Sequence, residues 1–181
     1  MNSKITLVML VSVLMLLIAC MSPLEQALFD GNKYYDNSKW DEAIEKYTEV
    51  IKLDPKNVVA YTNRGESYVE KKNYVFALTD YNKAVELDPT NFFPLYNRSM
   101  LYIMLGDQDK AIADCNTIIN KLELEYHWVY YNRGVAYTKK GMFENALADF
   151  NRSLALTNDA TYIKRAQDAI QQIKTAMAQQ Q

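Results

Sequence analysis

The feature that most constrains this chain is a phrase it writes three times: YTNRGESY at 61–68, LYNRSMLY at 95–102 and YYNRGVAY at 130–137. Counted on one small residue of the phrase, Gly65 follows Gly31 by 34 residues, Ser99 follows Gly65 by 34, and Gly134 follows Ser99 by 35. A period of that size marks stacked repeats, in which each unit buries its apolar face only against a neighbour.

Aligning on the phrase divides the chain into units 24–57, 58–91, 92–126 and 127–160, each expected to be a helical hairpin. In the second, VVAYTNRGESYVEK carries Tyr61, Gly65 and Tyr68 at helical spacing, and YVFALTDYNKAVELDP carries Ala77, Tyr81 and Ala84 in the same way. Gly31, Gly65, Ser99 and Gly134 lack bulk where the first helix crosses the second, and Ala43, Ala77, Ala111 and Ala146 supply a matching notch. Glycine inside a helix costs roughly 1 kcal/mol against alanine, so its return at one register points to packing. Gly106 and Gly141 stand where left-handed caps are expected, with Asn37 and Asn73 near the equivalent turns. Leu53-Asp54-Pro55 and Leu87-Asp88-Pro89 end the second helices, because proline brings no amide to continue them. Residues 161–181 read as a capping helix and tail, with Asp159 as N-cap and Tyr162, Ala166, Ala169, Ile170 and Ile173 on one side.

This pattern resembles the tetratricopeptide repeat. Small residue, Tyr, Ala, aromatic and Pro are matched by Gly31, Tyr34, Ala43, Tyr47 and Pro55, and by Gly65, Tyr68, Ala77, Tyr81 and Pro89. The fourth unit keeps Gly134, Tyr137, Ala146 and Phe150 with Asn158 for proline. The third has Ser99 for glycine, Cys115 for the aromatic, Glu123 for proline and one extra residue. The resemblance implies an all-α, right-handed solenoid of four hairpins plus a capping helix, with first helices lining a concave groove that binds peptides.

Carried onto this sequence, the resemblance puts Asn32, Asn63, Asn97 and Asn132 on the groove wall, where an amide can donate to and accept from an extended backbone. The other reading has these asparagines bonding the neighbouring repeat. Phe93, Tyr96, Trp128 and Tyr131 would make an apolar floor for a partner's side chains, or would pack in part against the capping helix. Arg64, Arg98 and Arg133 recur one residue on and are expected along the seam between repeats. Chaperone-binding relatives hold a carboxylate with cations and two asparagines. Here Asn32 and Asn63 match, but Leu28, Phe93 and Asn97 replace the cations, which argues against that ligand.

The N-terminus differs in kind. Ile5 to Ala19 carries no charge, follows Lys4 and ends at Leu17-Ile18-Ala19-Cys20, which resembles the lipobox of bacterial lipoproteins. Fifteen uncharged residues match a signal core of about 7–15 and fall short of the about 20 that span a bilayer. Residues 1–19 are read as a signal peptide, with lipid on Cys20 and a tether over 20–23; an uncleaved anchor is the alternative. Both export the rest, and Met21 after the cysteine favours an outer-membrane address facing the periplasm.

A net charge of -2, with both signs interspersed, lacks the basic footprint of nucleic-acid binding. His127 is the single histidine, no phosphate-cradling glycine loop occurs, and Asp80, Asp114 and Asp149 read as scattered polar positions. Catalysis, a metal and a cofactor are therefore not expected. Cys115, in a stripe with Ala111, Ile112 and Ile118, reads as a small buried hydrophobe. The expected function is a lipid-tethered adaptor for another envelope protein. Self-association into a structural array, or a cytoplasmic co-chaperone role without a signal peptide, are the alternatives.

Overall fold

A computed structural model describes residues 21–179. The expected signal peptide and the lipidated Cys20 lie outside the described residues. Among those described, every regular element is helical.

Two compact units divide the chain between Asp80 and Tyr81. The first holds α1 (Pro23–Asp36), α2 (Trp40–Leu53), α3 (Val58–Glu70) and the opening of α4 (Tyr74–Leu87). Ser22 starts α1 through a capping box: its hydroxyl accepts from the Glu25 amide, and the Glu25 carboxylate accepts from the Ser22 amide at 2.8 Å. Asn57 starts α3 by accepting from the Ala60 amide at 2.9 Å. Ala27, Val50 and Ala60, one from each helix, make the buried centre, flanked by Leu24, Leu28 and Ile51.

The second unit holds the rest of α4, then α5 (Phe92–Leu105), α6 (Gln108–Asn116), α7 (His127–Lys139), α8 (Phe143–Ala155) and α9 (Ala160–Ala178). Gly106 and Gly141 turn left-handed at φ 84° and 72°, as their positions in the repeat require. In the first unit the same service falls to Ser38 at φ 57° and Lys72 at φ 61°, each one residue away from the asparagine expected near the turn. The capping helix starts on Asp159, whose carboxylate accepts from the Thr161 and Tyr162 amides, and it buries Ala166 and Ile173 against Ala146 and Phe150.

The extra residue of the third repeat is absorbed at the end of α6. There the chain passes into a π-helical turn over Thr117–Lys121, and the Leu122 amide donates to the Thr117 carbonyl at 3.2 Å. A π turn takes up one residue without breaking the helix.

Candidate interaction surface

The repeated phrase works as a docking plug for the second helix of its own hairpin. Arg64 donates from Nε to Asp80 Oδ2 at 2.8 Å and from Nη2 to Oδ1 at 2.7 Å. Arg98 does the same to Asp114 at 2.8 and 2.6 Å, and Arg133 to Asp149 at 2.8 and 2.7 Å. The third prong, Nη1, reaches the preceding second helix: Thr48 for Arg64, Asn82 for Arg98 and Asn116 for Arg133. Each guanidinium thus fastens one hairpin and ties it to the previous one. The arginines lie on the seam, as expected. The three aspartates are not scattered polar positions: they are buried, in register, and each is the acceptor of a two-pronged pair.

In the third and fourth repeats the small residue after the arginine meets the residue after the aspartate, and in the first repeat Gly31 and Tyr47 take the same places behind Asp30 and Lys46. A Cβ on Gly31 would lie 2.7 Å from the Tyr47 ring, and one on Gly134 would lie 3.0 Å from the Phe150 ring. The nearest neighbour for which the glycine makes room is therefore an aromatic ring, and not the notch alanine that the sequence suggested. In the third repeat both partners change together, with Ser99 beside Cys115, so a hydroxymethyl fills the space that the smaller residue leaves. Burial pushes the Cys115 thiol up to about 12. It is the small buried residue that the sequence suggested.

Asn32 and Asn63 are brought together and bonded to each other. Asn32 Oδ1 accepts from Asn63 Nδ2 at 3.1 Å and from the Tyr47 hydroxyl at 2.8 Å. Desolvation raises both Tyr47 and Tyr35 to about 12, and Glu66 adds to each. In the second unit Asn132 lies against the Tyr96 hydroxyl, and burial raises that phenol above its ordinary value. Asn97 stands half-buried on α5.

Of the four aromatics expected on the floor, three share one cluster. Tyr96 meets Trp128 edge-on at 4.3 Å between ring centroids, and Phe93 stacks on Phe92 at 4.1 Å. Phe92 in turn contacts Trp128 at 5.6 Å. Tyr126 stacks on Trp128 at 4.6 Å with the rings 9° from parallel. Phe92 and Tyr126 were missed by sequence reasoning because they lie outside the inward register; that Phe92 adjoins Phe93 and Tyr126 stands two residues before Trp128 was the available signal. Tyr131 leaves the cluster and packs on Phe150 at 5.4 Å and on Tyr162 of the capping helix at 6.2 Å. Beyond the cluster, α5 carries an exposed apolar stripe: Phe93 is 57 % exposed, Met100 41 % and Met104 57 %.

Among the described residues no group of three or more His, Cys, Asp or Glu is placed to hold a metal ion, and no helix is long and apolar enough to cross a membrane.

Comparison with known proteins agrees with this architecture. Residues 31–72 match a TPR repeat family model, residues 58–91 and 127–156 a tetratricopeptide repeat model, and residues 80–113 a further tetratricopeptide repeat model. Over 38 residues, 21% of this chain, the sequence is 53% identical to RNA polymerase II-associated protein 3 of Rattus norvegicus, but it covers only 6% of that relative's length. The MamA crystal structure superposes with a TM-score of 0.76 over 86% of this chain and 83% of its own, at 23% identity. TTC0263, a thermophilic TPR protein in Thermus thermophilus, superposes with a TM-score of 0.71 over 83% and 82%, at 21% identity. At such identities the likeness speaks for the fold. With the arginine-phrase hairpins, the family matches and these superpositions together, the chain belongs to the tetratricopeptide repeat family, all-α modules that are typically non-catalytic and bind other proteins.

Proposed function

We propose that this protein is an adaptor tethered by lipid on Cys20 to the exported side of a bacterial envelope, most simply the outer membrane, and that it holds a segment of another envelope protein on the inner face of its first helices. The observation that carries the binding surface is the stripe on α5. Phe93, Met100 and Met104 stay in water beside the Tyr96–Trp128 cluster although the core could have used them. Exposed apolar patches of this kind mark interaction sites, and methionine suits a surface that adapts to its partner. The tether is supported by the resemblance of Leu17 to Cys20 to a lipobox and by the uncharged run before it.

The tests are separate. Incorporation of labelled palmitate that disappears in Cys20→Ala supports the tether, and equal incorporation in that variant refutes it. For the surface, crosslinked capture from native membranes is compared between wild type and Phe93→Ser or Met104→Ser. These exposed side chains are expected to lose capture while stability changes by no more than about 0.5 kcal/mol; undiminished capture rejects this face. Trp128→Ala is a poorer probe, because Trp128 is packed among Phe92, Tyr96 and Tyr126 and its loss also unsettles the fold.

A further inference from the structure

One edge of the first unit has the chemistry of a lipid contact. The antiparallel run of α1, α2 and α3 brings the start of α1, the end of α2 and the start of α3 to one end, held there by Leu24, Ala27, Val50, Ile51 and Ala60. At that end Leu53 is 51 % exposed and Val59 48 % exposed, and Lys52 and Lys56 are exposed beside them. The carboxylates of the same end are engaged locally. Asp54 accepts from the Lys56 amide at 3.0 Å and from the Asn57 side chain at 3.2 Å, and Glu25 is occupied with Ser22.

The corresponding loop of the next repeat shows what a loop without this role looks like. Lys52-Leu53-Asp54-Pro55-Lys56 becomes Glu86-Leu87-Asp88-Pro89-Thr90, so the Leu-Asp-Pro stop is kept and both cations are gone. Leu87 is only half-exposed. The cationic, more exposed copy is the one in the unit that follows the apolar run Ile5–Ala19. The lipid-bearing Cys20 of the proposed tether stands two residues before the N-cap Ser22. At no more than about 3.6 Å per residue, the intervening chain reaches roughly 7 Å, about the depth of a headgroup layer.

We propose that this edge, with Leu53 and Val59 as shallow apolar inserts and Lys52 and Lys56 on anionic headgroups, rests on the bilayer and fixes the orientation of the first unit. The proposal rests on the membrane tether and goes beyond it, since a tether alone leaves the unit free to turn. Apolar side chains entering the headgroup and acyl boundary beside lysines is the general mode of interfacial binding, and each cation near an anionic surface strengthens it.

The test uses the full chain reconstituted into vesicles of phosphatidylethanolamine and phosphatidylglycerol. An environment-sensitive fluorophore is placed on Leu53→Cys or Val59→Cys, and on Lys72→Cys at the opposite end of α3 as a control, with Cys115 shielded by burial. Co-sedimentation with vesicles reads the tether, and quenching by nitroxide-bearing lipid reads the contact. The expected result is quenching at 53 and 59 at least about twofold above that at 72, as insertion of about 5–10 Å requires. Lys52→Glu with Lys56→Glu should reduce that quenching while co-sedimentation is unchanged. Co-sedimentation with equal, weak quenching at all three sites overturns the contact and leaves the tether standing. A blue-shifted label without lipid quenching assigns the edge to a protein neighbour and also overturns it. Failure to co-sediment removes both.

Discussion

Arg98 on α5 grips Asp114 on α6 through two parallel hydrogen bonds of 2.8 and 2.6 Å while its remaining prong holds Asn82 at 2.7 Å. The side chains of both charged partners are more than four-fifths removed from water. Charges so placed are costly unless paired, so losing one partner is worse than losing both.

Arg98→Ala is therefore expected to destabilise the fold by about 3–5 kcal/mol, because it strands the Asp114 carboxylate in the interior. The double variant Arg98→Met with Asp114→Leu should recover much of that loss. Denaturant titration of the two single changes and the pair, analysed as a double-mutant cycle, measures the coupling; strictly additive losses would mean the two side chains act independently.

The glycines give a graded series. A methyl on Gly31 would lie 2.7 Å from the Tyr47 ring, against 3.0 Å from Phe150 for Gly134. Overpacking costs about 1–3 kcal/mol, partly offset by roughly 1 kcal/mol of better helix propensity. Thermal melts should place Gly31→Ala below Gly134→Ala, and both below wild type. The reverse order would show that the Tyr47 ring yields more readily than that of Phe150.

Alkaline pH is expected to loosen the first unit. Tyr35 and Tyr47 are held un-ionised to about 12 in the folded chain, whereas an unfolded tyrosine ionises near 10. Above about pH 10 the folded state then keeps more protons than the unfolded one, so stability present below that pH drains away as pH climbs towards 12. Tyr47→Phe should start lower, having lost its hydrogen bond to Asn32, and decline less steeply over the same interval. Melting temperature against pH for the two proteins checks both statements, and parallel curves would contradict the second.

The Cys115 thiol is expected to be inert until the second unit opens. Burial holds it protonated to about 12, and it is fully enclosed. In a Cys20→Ser background an aromatic disulfide reagent at about pH 8 should label no thiol in buffer and one thiol in denaturant, since only the thiolate attacks. Rapid labelling in buffer would mean the Ser99–Cys115 contact opens on its own.

The parts of this fold that were legible in the sequence are those set by local chemistry. The hairpin period, the left-handed Gly106 and Gly141, the Asp159 cap and the seam position of the arginines all follow from residues close to where they act. The aspartates were not legible. A lone aspartate on an amphipathic helix reads as solvent-facing, and the arginine that buries it lies sixteen residues earlier on another helix. The same +16 interval occurs three times and was the usable sign. The third repeat looked degenerate letter by letter, yet Ser99 and Cys115 are a matched exchange of size between facing positions. On the candidate surface, Tyr131 could not be assigned from register alone, because its direction depends on Tyr162 in the capping helix.

The π turn at Thr117–Lys121 has a consequence for anyone treating these hairpins as interchangeable parts. One residue of α-helix is about 100° of rotation, so an added residue would swing everything downstream unless the helix swallowed it locally. Here it does, and α7 departs from the loop with Tyr126 and Trp128 presented as flat neighbours. Trimming the third hairpin to match its siblings would straighten a helix and, with the same cut, re-aim both of those rings.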